Sequence, residues 1–131
     1  MSEEDLILAC QAIGVHVVFF PIHLAGGYVH EIKLIVVDSR LTPDEQRFTL
    51  AHEYVHALNG HDGPQPTSVE RWVDCEASKL LINPDGYACA ERVVGSHPVA
   101  LAEELHVPVE CVEAYQEHLT GANGSLAPVG R

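Results

Sequence analysis

The sequence predicts an α+β fold in which a small β-sheet packs against a helical core and further helices follow. Two runs rich in β-branched and aromatic residues, 15–20 and 32–37, lie near the start of the chain and are typical of strands. Beyond them, apolar residues recur at spacings of three and four, as in amphipathic helices. The motif H-E-x-x-H, at residues 52–56, lies in the first of these helical segments. Strands followed by helices indicate an α+β arrangement.

Length and composition predict a single domain over residues 1–120 and a flexible tail over 121–131. The chain is 47% apolar and 20% charged, as in ordinary globular proteins. Its net charge of −12 repels phosphates, so direct binding to nucleic acid or to a membrane surface is not expected. An acidic start and the lack of a long apolar run predict a cytoplasmic protein.

The four cysteines are Cys10, Cys75, Cys89 and Cys111, and no two of them form a C-x-x-C pair. Such wide spacing predicts neither a disulfide framework nor a thiolate zinc cluster. We expect them to be small apolar residues of the core.

The first part of the chain predicts a helix, a strand, a turn and a second strand. Ser2 can cap a helix that ends at Gly14, and a strand follows over residues 15–20. The pair Gly26-Gly27 is typical of a turn. The apolar run 32–37 predicts a strand that is covered on both faces and pairs with the first one.

The H-E-x-x-H motif lies in a helix with clear start and stop signals. Thr42 can act as N-cap, with Pro43 at the first helical position and Glu45 completing a capping box. Asn59-Gly60 supplies the stop. The apolar face predicted for this helix consists of Phe48, Ala51, Val55 and Leu58.

The second part of the chain predicts helices joined by short breaks. A loop over 61–68 precedes a helix that ends near Asn83-Pro84, which can itself cap a helix running to Val94. Two further helices break around Val107-Pro108. Their pattern resembles a helix-turn-helix motif. However, residues 93–130 contain several Glu residues and neither Lys nor Arg, which disfavours binding to DNA. We therefore expect them to pack on the core or to grip a protein substrate.

The spacing within the motif suits a metal site. Residues four apart lie on one face of a helix, so the imidazoles of His52 and His56 can close on one ion. Glu53 lies about 100° around the helix, where its carboxylate can act as a general base on a nearby water. The alternative is a surface helix with two solvated imidazoles, which would leave Glu53 and the helical context unexplained.

A catalytic zinc ion needs a third protein ligand. The arrangement with a third histidine would place His and Gly where this chain has Asp62 and Asn59. The residues alone leave Glu70 and Asp74 as candidates on the next helix. His61 and Asp62 are nearer in sequence, but they lie in a loop, which holds a ligand less rigidly than a helix does.

Residues 47–53 through His56, followed by Glu70-Arg71 and by Leu80-Leu81 before Pro84, resemble the ImmA/IrrE family of metallo-endopeptidases. The resemblance covers about residues 28–84. It implies a zincin-like metallopeptidase domain, a Zn²⁺ cofactor and Glu70 as the third metal ligand.

Residues 70–84 depart in three ways from the second element of the family pattern, E-R-x-A-N-x-x-A-x-x-L-L-x-P. Val73 replaces Ala, Asp74 replaces Asn, and one extra residue precedes Pro84. Asp74, one turn beyond Glu70, could support a histidine ligand by a hydrogen bond or could replace Glu70 as ligand. The resemblance favours Glu70.

The implied reaction is hydrolysis of a peptide bond, with zinc polarising the carbonyl and Glu53 transferring the proton. Tyr28, Tyr87 and Arg71 are candidates for stabilising the oxyanion. By resemblance, the expected substrate is a transcriptional repressor of a phage or mobile element. The alternative is a metal-stabilised interaction module, or a toxin or antitoxin component, that binds a regulator without cleaving it.

Overall fold

The computed structural model describes residues 1–121; residues 122–131, nearly all of the expected tail, lie outside the described part. Its six helices and three strands confirm the predicted α+β class. They are α1 (Glu3–Ala12), β1 (His16–Phe20), β2 (Gly26–Val29), β3 (Leu34–Asp38), α2 (Pro43–Leu58), α3 (Thr67–Leu81), α4 (Pro84–Val94), α5 (Pro98–Leu105) and α6 (Val109–Thr120). The chain divides into two compact units, with the first spanning Met1–Pro66 and the second beginning at Thr67.

The first unit is built on a three-stranded sheet in the order β1-β3-β2. β1 pairs with β3 in parallel, with Val18 opposite Val36, and β2 pairs with β3 antiparallel, with Tyr28 opposite Ile35. α1 packs on β1, and α2 packs on α1, β2 and β3. Their shared core consists of Leu6, Cys10, Val15, Tyr28, Ile35, Val37, Leu50, Ala51 and Val55.

Both predicted helix starts in this unit are confirmed. Ser2 caps α1 in a reciprocal pair of hydrogen bonds with Asp5, and Thr42 caps α2 in the same way with Glu45. α2 ends at Leu58 with Asn59 as its C-cap, at the predicted stop. Leu58, predicted to be buried, is 53% exposed.

The turn predicted at Gly26-Gly27 is wrong, because these two glycines begin β2. A Cβ atom at Gly26 would lie 2.6 Å from Cγ2 of Thr49 and 3.0 Å from the carbonyl oxygen of Val36. Glycine therefore lets α2 approach the strand closely. The chain reverses instead between β2 and β3, where Lys33 adopts a positive φ of 53°.

The prediction that β3 is covered on both faces is also wrong. Ile35 and Val37 are fully buried, whereas Val36 between them is only half-buried. On the neighbouring strand, Val18 and Phe20 are 41% and 63% exposed. The sheet therefore has one well-buried face, which points toward α1 and α2, and an apolar but more open face.

Over the described residues 67–121, the second unit consists of the four helices α3 to α6. α6 packs on α3 and α5, and α4 packs on α5. Asn83 caps α4 by accepting a hydrogen bond from the backbone N–H of Gly86 at 2.6 Å, as its position predicted. The predicted break between the last two helices is confirmed, with His106 in the left-handed conformation. No helix within residues 1–121 is long and apolar enough to cross a membrane.

Candidate metal centre

α2 brings the imidazoles of His52 and His56 together on one face. Their Nε2 atoms lie 3.1 Å apart, and the rings meet edge to face with centroids 4.7 Å apart. Two nitrogen ligands of one tetrahedral zinc ion, each about 2.0–2.1 Å from the metal, lie about 3.3 Å apart. The separation of the two Nε2 atoms therefore fits a shared ion.

Glu53 lies on the side of α2 that packs against β2. It is 8% exposed, and a Cβ atom at Gly26 would lie 3.5 Å from its Cγ atom. Burying a carboxylate is costly in free energy unless hydrogen bonds or an ion pair compensate it. The same helix therefore carries a buried carboxylate and two convergent imidazoles.

The other edge of the His56 ring faces His61. The Nδ1 atoms of the two rings lie 2.9 Å apart, and the centroids are 5.1 Å apart. Because Nδ1 and Nε2 lie on different edges of an imidazole, His61 contacts His56 on the edge away from His52. The interpretation of His61 as an alternative third ligand is therefore disfavoured, and no spacing rule in the sequence indicated this ring contact.

Glu70 and Asp74 lie in the second unit, one turn apart on α3. Glu70 is in the first turn of that helix, and both side chains are half-buried. Asp74 borders a pocket of about 230 Å³ together with Arg71 and three acidic residues of α6, which are Glu110, Glu113 and Glu117. Within this unit, Asp74 thus lies among three carboxylates and one guanidinium group.

Tyr28 is the candidate for oxyanion stabilisation that belongs to the same unit as α2. It lies on β2 and is 8% exposed, and its hydroxyl group lies 2.9 Å from Nδ1 of His30. Burial, followed by the negative charge of Asp62, raises the pKa of the Tyr28 phenol. Tyr28 is therefore neutral at physiological pH and able to donate a hydrogen bond.

The other two candidates make structural contacts within the second unit. The phenol oxygen of Tyr87 accepts a hydrogen bond from Nε2 of Gln116 at 3.1 Å, and its ring packs on Tyr115. Arg71 forms an ion pair with Glu117 at 3.5 Å. These contacts account for both residues without a role in chemistry.

Comparison with known proteins places this chain in a family. The family model Peptidase_M78, described as the IrrE N-terminal-like domain, matches residues 10–114. The radiation response metalloprotease IrrE of Deinococcus deserti is 44% identical over 46 residues, which are 34% of this chain. The match spans only 16% of that relative's length. Because the family model covers most of the sequence, including both helices that carry the candidate residues, the chain belongs to the Peptidase_M78 family, as its resemblance to ImmA/IrrE proteins predicted.

Proposed function

We propose that the protein is a zinc-dependent endopeptidase, in which His52, His56 and Glu70 hold the metal and Glu53 is the general base. The observation that carries this proposal is the convergence of two Nε2 atoms, 3.1 Å apart, on the helix that also buries Glu53. Membership of the Peptidase_M78 family and the name of the D. deserti relative, a metalloprotease, support the same class of activity.

Two imidazoles and one carboxylate are a donor set that could hold a metal ion. Zinc is the ion we propose, because this mixture of nitrogen and oxygen donors is characteristic of catalytic zinc sites. When bound, the ion supplies Lewis acidity to the scissile carbonyl group. Glu53 takes the proton from the attacking water and delivers it to the leaving amine, so no covalent intermediate is needed.

We favour Glu70 over Asp74 as the third ligand on two grounds. The sequence around Glu70 matches the family pattern at the position of the third ligand, as described above. Asp74 borders a pocket with Arg71 and three carboxylates of α6, so it has charged neighbours within the second unit. A measurement of metal binding distinguishes Glu70 from Asp74 as the third ligand.

A peptide substrate suits the architecture of the first unit. β2 is an edge strand of the sheet, and Gly26 on this strand packs beside Glu53. An edge strand offers backbone groups to which an extended peptide can add as a further strand. We propose that a substrate docks there in extended form, which would bring a peptide bond close to the general base.

By resemblance alone, we propose a cytoplasmic transcriptional repressor of a phage or mobile element as the substrate. The test incubates the zinc-loaded protein with regulators encoded beside its gene and maps new N-termini by mass spectrometry. Glu53→Gln should retain zinc and lower the cleavage rate by about 10²–10⁴-fold, the usual contribution of a general base. Glu91→Gln, which changes an exposed glutamate of α4, should cleave like the wild type.

Two results would change the proposal. If Glu53→Gln cleaves at the wild-type rate, Glu53 is not the base. If the wild type binds zinc and a regulator but never cleaves it, the interaction-module alternative, including a toxin or antitoxin component, replaces the endopeptidase.

A further inference from the structure

We propose that His61 is a positioning residue that fixes the tautomer of His56, keeping the Nε2 atom of His56 free to bind metal. This inference rests on the proposed metal site, since it assigns a role to a neighbour of one proposed ligand. The contact that carries it is the 2.9 Å separation between the Nδ1 atoms of the two rings.

A neutral imidazole carries a single proton on one of its two ring nitrogens. A histidine that binds metal through Nε2 must carry its proton on Nδ1, and that N–H group needs an acceptor. Nδ1 of His61 lies at hydrogen-bond distance from Nδ1 of His56. His61 accepts this hydrogen bond when its own proton is on Nε2, so the two tautomers are coupled.

The opposite pair of tautomers would block the metal site. If His61 donated from Nδ1, His56 would carry its proton on Nε2, which lies 3.1 Å from Nε2 of His52. That proton would occupy the position where a metal ion needs a lone pair. The tautomer of His61 therefore determines whether His56 is ready to bind.

The stop signal of α2 also places the His61 ring. The backbone N–H of His61 donates to the carbonyl oxygen of His56 at 3.0 Å, and Gly60 between them has a φ of 63°. This left-handed turn folds the chain back so that residue 61 lies beside residue 56. His56 is 6% exposed, so water competes weakly for its Nδ1 proton.

A matched pair of variants separates hydrogen bonding from packing. His61→Asn retains an acceptor, because Oδ1 of asparagine occupies nearly the same place as Nδ1 of histidine, whereas His61→Leu fills similar space without one. His16→Leu removes an exposed histidine of β1 and serves as the control. All measurements are made near pH 8, where ordinary imidazoles are neutral.

The first readout uses zinc alone, in competition with a chromophoric chelator. We expect His61→Leu to weaken zinc binding by about 10–100-fold, the usual effect of losing a partner of a ligating histidine. His61→Asn and His16→Leu should stay within about threefold of the wild type. Equal affinity in the wild type and His61→Leu, or equally weak binding in His61→Asn and His61→Leu, would overturn the proposal.

The second readout needs no metal and no activity. Long-range ¹H–¹⁵N spectra of the metal-free wild type should show His56 protonated at Nδ1 and His61 at Nε2; His56 protonated at Nε2 would overturn the proposal, whether or not the variants fold. A wild-type protein that binds no zinc but shows the expected tautomers would refute the proposed function while leaving the His61–His56 coupling standing.

Discussion

The two units of the protein differ in the polar side chains that they bury. The first unit buries Asp38, Glu53 and His56, whereas within the described part of the second unit the buried polar side chain is Ser78. The hydroxyl group of Ser78 simply donates to a carbonyl oxygen one turn earlier in its own helix, at 2.7 Å. Burial of carboxylates and imidazoles is costly in free energy. Asp38 is compensated by its ion pair with Arg40, and for Glu53 and His56 we propose a role in chemistry.

The second unit instead packs apolar helix faces together and carries its charges outside. In our proposal, the second unit contributes only one carboxylate, on α3, to the metal site. Substitutions in each unit test this division between them.

The largest effect should come from the proposed third ligand. Glu70→Ala should weaken zinc binding by more than about 100-fold, because it removes a ligand outright, whereas Asp74→Ala should weaken it by less than about 10-fold. Chelator competition measures both affinities. A greater loss for Asp74→Ala would assign the ligand to Asp74 and would give the acidic pocket of α3 and α6 a role in metal binding.

The close approach of α2 to β2 predicts a loss of stability. Gly26→Ala should lower the free energy of unfolding by about 1–3 kcal/mol, because its methyl group would overlap with Thr49 and the backbone of β3. Gly27→Ala is the matched control, since a Cβ atom there meets nothing within 4 Å. Urea unfolding measures the stability of both variants. Equal stability would show that the packing of α2 on β2 does not depend on the absence of a side chain at Gly26.

The ion pair at the end of β3 predicts a dependence of stability on acid pH. The side chain of Arg40 hydrogen-bonds Asp38 at 3.0 Å and lowers the pKa of that carboxyl group, although burial opposes the shift. A carboxyl group whose pKa is lower in the folded state stabilises the fold above its unfolded pKa, about 3.9, and this contribution is lost as pH falls through the folded pKa.

Arg40→Met should therefore be less stable than the wild type at pH 6 and should converge with it in strong acid. Lys79→Met, which breaks the exposed pair with Glu76 in the second unit, should change stability little at either pH. Thermal unfolding between pH 2 and 6 measures both. Parallel curves for Arg40→Met and the wild type would show that Asp38 gains nothing from Arg40.

The smallest effect concerns the cysteines. Cys89 is exposed, whereas Cys10, Cys75 and Cys111 are buried, and burial raises the pKa of the Cys10 thiol to about 11. At pH 8 iodoacetamide should therefore modify Cys89 first and leave Cys10 unmodified until the protein unfolds. Mass spectrometry of digested samples reads the sites; early modification of Cys10 would show that the packing of α1 is loose.

Local signals predicted the helices well, because each cap uses neighbours within a few residues. Ser2 with Asp5, Thr42 with Glu45, and Asn83 all cap helices where the sequence placed the starts. The strands were predicted less accurately. An apolar run does not reveal how many faces are covered, and the role of Gly26 depends on Thr49, which lies on another element.

The candidate site, too, was predictable from the sequence only where its contacts are local. The convergence of His52 and His56 follows from helical periodicity, so the sequence alone predicted it. The contact between His61 and His56 depends on the left-handed turn at Gly60, and the cluster around Asp74 depends on the packing of α6 against α3. Neither has a spacing rule that could have indicated it.

The central claim is that the histidines of α2 hold one metal ion, and zinc stoichiometry tests it most directly. Purified wild-type protein and the double variant His52→Ala/His56→Ala are loaded with zinc near pH 8, dialysed and analysed by inductively coupled plasma mass spectrometry, with circular dichroism confirming that both are folded. We predict one zinc ion per chain in the wild type and none in the double variant. A wild type without zinc, or a folded double variant that retains it, would contradict the account.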